Sequence, residues 1–266
     1  MDEAAVPDRE RLPLLEMKGI SKRFGAVTAL DRVDLKLFPG EVLGVVGDNG
    51  AGKSTLMKVL SGLYAASEGQ LFLDGRPIEL HSPRDAQDVG IEMVYQDLAL
   101  AGNLPIHENI YLGREPGRKR LGFTVVDHRL SRTMAMEHLN RLHITVKSVD
   151  QKVEELSGGQ QQAVAIARST AFDARVVIMD EPTAALAIKE VGKVLDLIKR
   201  LKEHGGSVIL ISHRMDDVFF VCDRIMALFH GRNFEEAPIA DTNRNEVIGW
   251  IMGTRGHTET LAHDSL

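Results

Sequence analysis

The 266-residue chain reads as an α/β protein with a mostly parallel core sheet, antiparallel strands towards its N-terminus and a helical subdomain set into it. Three observations predict this. The apolar run Val42-Leu43-Gly44-Val45-Val46 has the length of a buried strand, a glycine-rich loop follows it, and Leu56, Val59, Leu60 and Leu63 then recur at helical spacing. Val176 to Met179 and Val208 to Ile211 are two more buried strands, separated by the helical pattern Val191, Val194, Leu195, Ile198 and Leu201, which Gly205-Gly206 stops. Strands this apolar, alternating with helices, imply a parallel sheet covered on both faces. Leu14 to Ile20 and Val33 to Phe38 instead alternate apolar and polar residues, as half-exposed antiparallel strands do.

In chain order, residues 1–13 are polar and predicted to be flexible. Phe24 falls between the two alternating segments, and Pro39-Gly40 turns into the first buried strand. Gln70 to Leu73 reads as a strand closed by the hairpin turn Asp74-Gly75, and Ile91 to Tyr95 as another strand, ending at Gln96. Residues 98–172 differ in character. Gly102, Pro105, Pro116 and Gly117 interrupt them, the basic run Arg118-Lys119-Arg120 suggests a solvated loop, and Leu130, Met134, Leu139 and Leu142 suggest an amphipathic helix from Asp127. The methionines here are expected as core filler. Ile225 to Phe229 reads as the last strand and Glu246 to Met252 as a closing helix, with a flexible tail over 254–266.

Composition narrows the function. With 44% hydrophobic residues the chain can build a sizeable core, and a net charge of -6 with a pI near 5.9 argues against nucleic acid as a partner. Cys222 cannot form an internal disulfide, and its apolar neighbours predict a buried, reduced thiol in a cytosolic setting. No run reaches the roughly 18 apolar residues of a membrane span. If the protein works at a membrane, another chain anchors it.

The loop Gly47-Asp48-Asn49-Gly50-Ala51-Gly52-Lys53-Ser54-Thr55 carries the first chemistry. It matches the phosphate-binding pattern in which glycines let backbone amides wrap phosphate oxygens, the lysine reaches the terminal phosphates and the serine hydroxyl reaches Mg2+. A helix N-terminus directly behind it adds free amides and partial positive charge. Asp180-Glu181 ends a buried strand, at the sheet edge where ligands of open α/β folds gather. Asp180 suits a Mg2+ partner and Glu181 can activate a water. In Leu156-Ser157-Gly158-Gly159-Gln160, the Ser-Gly-Gly amides open another helix and point at an anion, although Ser157 is also a good ordinary helix cap.

The phosphate loop, the Leu-Ser-Gly-Gly-Gln pentapeptide and the strand ending in Asp-Glu, in this order, resemble the ATP-binding cassette (ABC) ATPases over residues 14–253. The resemblance implies an ATP site with Mg2+ held through Ser54, Gln96 and Asp180. Gly47, Asn49, Gly50, Gly52, Lys53, Ser54 and Thr55 then bind the nucleotide, and Phe24 resembles the aromatic that stacks on adenine. Glu181 resembles the catalytic acid and His213 the switch histidine at the γ-phosphate. Gln96 resembles the glutamine that touches metal and water where the transmembrane partner docks. In this family two cassettes pair head to tail, so Ser157, Gly158, Gly159 and Gln160 would serve the nucleotide of a second copy. The family commonly carries Ser-Ala-Leu-Asp after Glu-Pro-Thr; here Ala184-Ala185-Leu186-Ala187 lacks the aspartate, which removes a polar contact between sites.

Glu108-Asn109-Ile110-Tyr111-Leu112-Gly113-Arg114-Glu115, Gly47-Asp48-Asn49-Gly50 and Ile211-Ser212-His213-Arg214-Met215 are similar to the monosaccharide-importer branch, of the ribose, xylose and fructose type. That likeness implies an ATPase subunit on the cytoplasmic face of the inner membrane, with transmembrane permease subunits as partners and, through them, a periplasmic sugar-binding protein. The alternative within the family is a soluble ATP-driven switch acting on ribosomes or DNA without transport. The pentapeptide argues against a P-loop kinase or small GTPase.

Overall fold

The computed structural model describes residues 12–120 and 123–254, so most of both expected flexible ends lies outside the described residues. In chain order the elements are β1 (Leu15–Phe24), β2 (Val27–Leu37), β3 (Val42–Val46), α1 (Lys53–Leu60), β4 (Glu68–Leu73), β5 (Arg76–Ile78), α2 (Pro83–Asp88), β6 (Ile91–Val94) and α3 (Ile106–Tyr111). There follow β7 (Gly117–Arg120), β8 (Phe123–Val126), α4 (His128–Arg141), α5 (Gly158–Thr170), β9 (Val176–Asp180) and α6 (Ile188–Glu203). The chain closes with β10 (Ser207–Ile211), α7 (Met215–Val221), β11 (Arg224–Phe229), β12 (Arg232–Pro238) and α8 (Arg244–Ile251).

The core sheet has the order β12-β11-β3-β10-β9-β6 and is parallel except at β12. Its parallel strands are largely buried on both faces, and the two-residue period sorts their side chains between two cores. Leu43, Val45, Ile178, Ile209, Ile211 and Met226 pack on one side with α1 and the antiparallel sheet β2-β1-β4-β5. Val42, Val46, Val177, Met179, Val208 and Leu210 pack on the other with residues of α3 to α8. Gly44 has no side chain because α7 comes too close: a Cβ there would lie 3.0 Å from both Val218 and the Cys222 Sγ. That contact accounts for the buried, free Cys222, whose thiol pKa burial pushes up.

Several local expectations change. Ile225 to Phe229 is not the last strand: Gly231, at φ 76, turns the chain back into β12, which pairs antiparallel with β11. The basic run is not a loop, since Gly117–Arg120 pairs with Phe123–Val126 in a two-stranded hairpin. Leu63 lies beyond the end of α1 and is 47% exposed. On α4 the buried stripe is Ser131, Ala135 and Leu139, spaced by four, whereas Leu130, Met134 and Met136 face outward. These methionines therefore fill no core. Small residues at 131 and 135 let α4 approach α3 closely, a steric preference that hydrophobicity alone does not report.

Candidate functional site

The phosphate loop leaves β3 at the centre of the core sheet and closes on α1. Gly47 has φ 153 and Gly52 φ 103; a Cβ on Gly47 would stand 2.5 Å from the Leu228 carbonyl oxygen, and one on Gly52 2.9 Å from that of Ala29. Both glycines are thus required by conformation and by space. Gly52 is the N-cap of α1 and offers no side chain, so the first-turn amides of α1 remain available to a ligand. Asn49, Gly50 and Ser54 are exposed, and Thr55 is half-buried. Lys53 curls back over the loop, donating from Nζ to the Gly47 carbonyl at 2.6 Å and the Asp48 carbonyl at 3.0 Å. Burial lowers its pKa, while Glu181, Asp48 and Asp180 work to raise it.

Those two acids come from the neighbouring edge. β9 pairs with β10 so that Asp180 stands opposite Ile211, and the Glu181 amide donates to the Ile211 carbonyl at 2.9 Å. Glu181 adopts φ 50, an uncommon conformation for a residue with a side chain, and this bends the chain sharply off the strand. His213 follows β10, and its Nδ1 lies 2.7 Å from Glu181 Oε2 but off the line of a directed hydrogen bond. Burial, then the charge of Glu181, hold the Asp180 carboxyl above its usual pKa, against the pull of Lys53 and Lys58. One half-buried lysine and two half-buried carboxylates that act on one another form a place for a polyanion and the cation that accompanies it.

Gln96 is exposed, two residues past the end of β6, which pairs with β9. Phe24 ends β1 with 43% of its surface exposed and meets Tyr64 edge-on, the ring centroids 5.2 Å apart. Lys22 Nζ sits over both rings, at 5.1 Å and 5.6 Å from their centroids. Tyr64 and Lys22 were not singled out in the sequence, because neither belongs to a motif and Tyr64 is 40 positions from Phe24.

Ser157 caps α5 through a reciprocal pair: its Oγ accepts from the Gln160 amide at 3.4 Å and its own amide donates to Gln160 Oε1 at 3.1 Å. The cap and the anion-facing amides are therefore compatible roles of one turn. A Cβ on Gly159 would meet the Glu190 Cβ at 2.8 Å, and one on Gly158 would reach Leu186 at 3.4 Å. The signature glycines lie against the start of α6, whereas the phosphate-loop glycines lie against Ala29, Leu228 and Gly231. The segment from Glu181 to Glu190 consequently runs from the acid of one half-site to the back of the other. Glu190 was missed in the sequence because nothing local marks a glutamate as the wall behind a glycine.

Comparison with known proteins shows the family. Residues 30–184 match the ABC transporter family. The chain is 45% identical over 247 residues to the fructose import ATP-binding protein FrcA of Rhizobium meliloti, covering 91% of this chain and 95% of that one. It is 43% identical over 241 residues to the ribose import ATP-binding protein RbsA of Caldanaerobacter subterraneus, where it spans 91% of its own length but 48% of the relative's. A solved dimeric post-hydrolysis ATP-binding cassette bound to ADP and Pi superposes with a TM-score of 0.70 at 28% identity, over 85% of this chain and 98% of that one. By its match to the family model and its identity to these import proteins over nine-tenths of its length, the chain belongs to the ABC transporter family as one of its ATP-binding proteins.

Proposed function

We propose that this chain is the ATP-hydrolysing subunit of a monosaccharide importer of the ribose and fructose type, working as a head-to-tail pair on the cytoplasmic face of the membrane. The observation that carries the proposal is 45% identity to a fructose import ATP-binding protein along nearly its full length, and the packing of the phosphate-loop and signature glycines against different parts of the chain supports a site divided between two copies. Each surface supplies half of what a nucleotide needs. Two copies related by a two-fold axis supply two complete sites.

In the first half-site, Lys53 exchanges its bonds to Gly47 and Asp48 for the terminal phosphates, and the α1 amides take the remaining oxygens. Phe24 and Tyr64 form the aromatic edge for adenine. The oxygen donors Ser54, Gln96 and Asp180 suit Mg2+, a hard dication that neutralises phosphate charge as the bond to the γ-phosphorus breaks. The half-buried Asp180 carboxylate beside Glu181 supports this fit, because a bound cation would offset both its burial and the repulsion from Glu181. Glu181 accepts the proton of the attacking water, and His213 beside it holds the acid and meets the γ-phosphate. Ser157, Gly158 and Gly159 of the second copy close over the same phosphate.

Closure has to reach a membrane partner, since no described helix is long and apolar enough to cross a bilayer. Next to Gln96, a cleft of about 240 Å³ is lined by Glu92, Tyr95, Leu98, Arg114, Arg168 and Phe172. Glu92 is buried and ion-paired to Arg114, whose guanidinium also stacks 4.0 Å from the Phe172 ring. We assign this cleft to a helix of the permease. Pull-down of the tagged chain from solubilised membranes tests the proposal. Recovery of a permease and stimulation of ATPase activity by its cognate sugar-binding protein are expected; recovery of ribosomes or DNA with no membrane protein overturns it.

A further inference from the structure

Away from the nucleotide site, three metal-ligating side chains converge where α3 meets α4. His107 and Glu108 lie in the first turn of α3, and His128 opens α4 directly after the β7–β8 hairpin. One ligand atom from each lies within 4.8 Å of the other two. Glu108 Oε1 and His128 Nδ1 are 3.4 Å apart. Two ligands each about 2.1 Å from a tetrahedral ion are separated by about 3.4 Å. The two imidazoles are nearly perpendicular, with centroids 6.2 Å apart.

His107 is the unusual member. It is fully buried, its Nδ1 lies 3.0 Å from Ser131 Oγ, and its Nε2 has no hydrogen-bond partner. The Asp150 carboxylate stands 3.5 Å from that nitrogen but is already engaged by Arg132 at 2.5 Å. A buried imidazole left half-satisfied costs stability unless something uses it. Glu108 and His128 also line, with Ser131, a surface cleft of about 150 Å³.

We propose that His107, Glu108 and His128 form a site for a transition-metal dication of the zinc class, linking the start of α3 to the start of α4. Two neutral imidazoles and one carboxylate are a donor set that such ions favour, with the fourth position left to water; Mg2+ and Ca2+ prefer all-oxygen sets. Ser131 orients His107 in the way that outer-sphere partners fix a ligating imidazole. The ion closes the loop between residues 108 and 128, so it restrains the hairpin against the helices. Nothing in this site depends on the nucleotide chemistry proposed above.

Zinc titration of the nucleotide-free, chelator-stripped full chain by calorimetry tests the site, with hydrogen exchange of the hairpin as a second readout. Wild type is expected to bind an equivalent of zinc that His128→Ala and Glu108→Gln each weaken at least about tenfold. Both side chains reach solvent, so neither variant removes core packing. Zinc held at Asp180, Glu181 and His213 is told apart by Glu181→Gln, which leaves the equivalent intact. Slower exchange in β7 and β8 on adding zinc is expected in the wild type and absent in His128→Ala. Equal zinc binding by wild type and either ligand variant, or no binding by any of them, overturns the proposal.

Discussion

His213 Nδ1 lies 2.7 Å from Glu181 Oε2, across the ends of two paired strands of the core sheet. Glu181 is only partly reachable, with 14% of its side chain exposed, while the histidine is 66% exposed. The acid is thus set in place by the sheet, and the histidine covers its open side. In the site proposed above, this places the acid and the histidine on one ligand.

Glu181→Gln keeps the shape and removes the proton acceptor. Turnover is expected to fall by roughly 10²- to 10⁴-fold, the usual range for a general base. ATP affinity should stay near wild type, and size-exclusion chromatography with ATP and Mg2+ should show a trapped dimer. A monomer under those conditions contradicts the head-to-tail pairing.

Ser157→Arg places a long cation on an exposed helix start that we assign to the facing γ-phosphate. Hydrolysis should drop to background while binding of a fluorescent ATP analogue through the phosphate loop is retained. Loss of the Ser157 cap is expected to cost about 1 kcal/mol of stability as well, so thermal melting belongs in the same experiment. Unchanged turnover removes Ser157 from the site.

Asp180→Asn separates stability from function through pH. Because the folded state holds the Asp180 proton more tightly than the unfolded chain, its ionisation subtracts stability as pH rises from about the ordinary 3.8 through the raised folded value. Nucleotide-free Asp180→Asn should therefore match the wild type in acid and exceed it at neutral pH, read as urea midpoints along a pH series. Mg2+-dependent turnover should be lost. Equal midpoints at every pH show that burial does not strain this acid.

Ala187 occupies the N-cap of α6 in an extended conformation and makes no side-chain cap, at the position where the resemblance to cassette ATPases implies an aspartate. Ala187→Asp restores an acceptor for the first-turn amides and is expected to add about 1 kcal/mol, visible as a raised melting temperature. If the same residue also couples the two sites, the Hill coefficient for ATP rises with it. A lowered melting temperature shows that the α6 start cannot accept the cap.

Much of the site was legible because its motifs are local. Gly47 to Thr55 and Ser157 to Gln160 are contiguous turns before helices, and the spacing of glycines and polar residues carries their conformation. The buried strands were legible from apolar runs. β12 was not, because Arg232–Pro238 is an edge strand with mostly exposed or half-exposed residues, and only its pairing with β11 makes it a strand. The outward face of α4 was misassigned because burial there follows the small residues Ser131 and Ala135 that admit α3, not the larger Leu130 and Met134.

By itself the sequence determined which segments could hold a phosphate, carry an acid at a strand end or open a helix with free amides, since each depends on neighbours a few positions away. Tertiary structure alone decided that Glu181 meets His213, that Phe24 meets Tyr64, that Glu190 backs Gly159, and that His107 and Glu108 meet His128. The physical reason is the same in each case. Which strands lie side by side and which helices cross is settled by the summed burial of two cores, and a contact between residues 20 to 40 positions apart inherits its geometry from that arrangement.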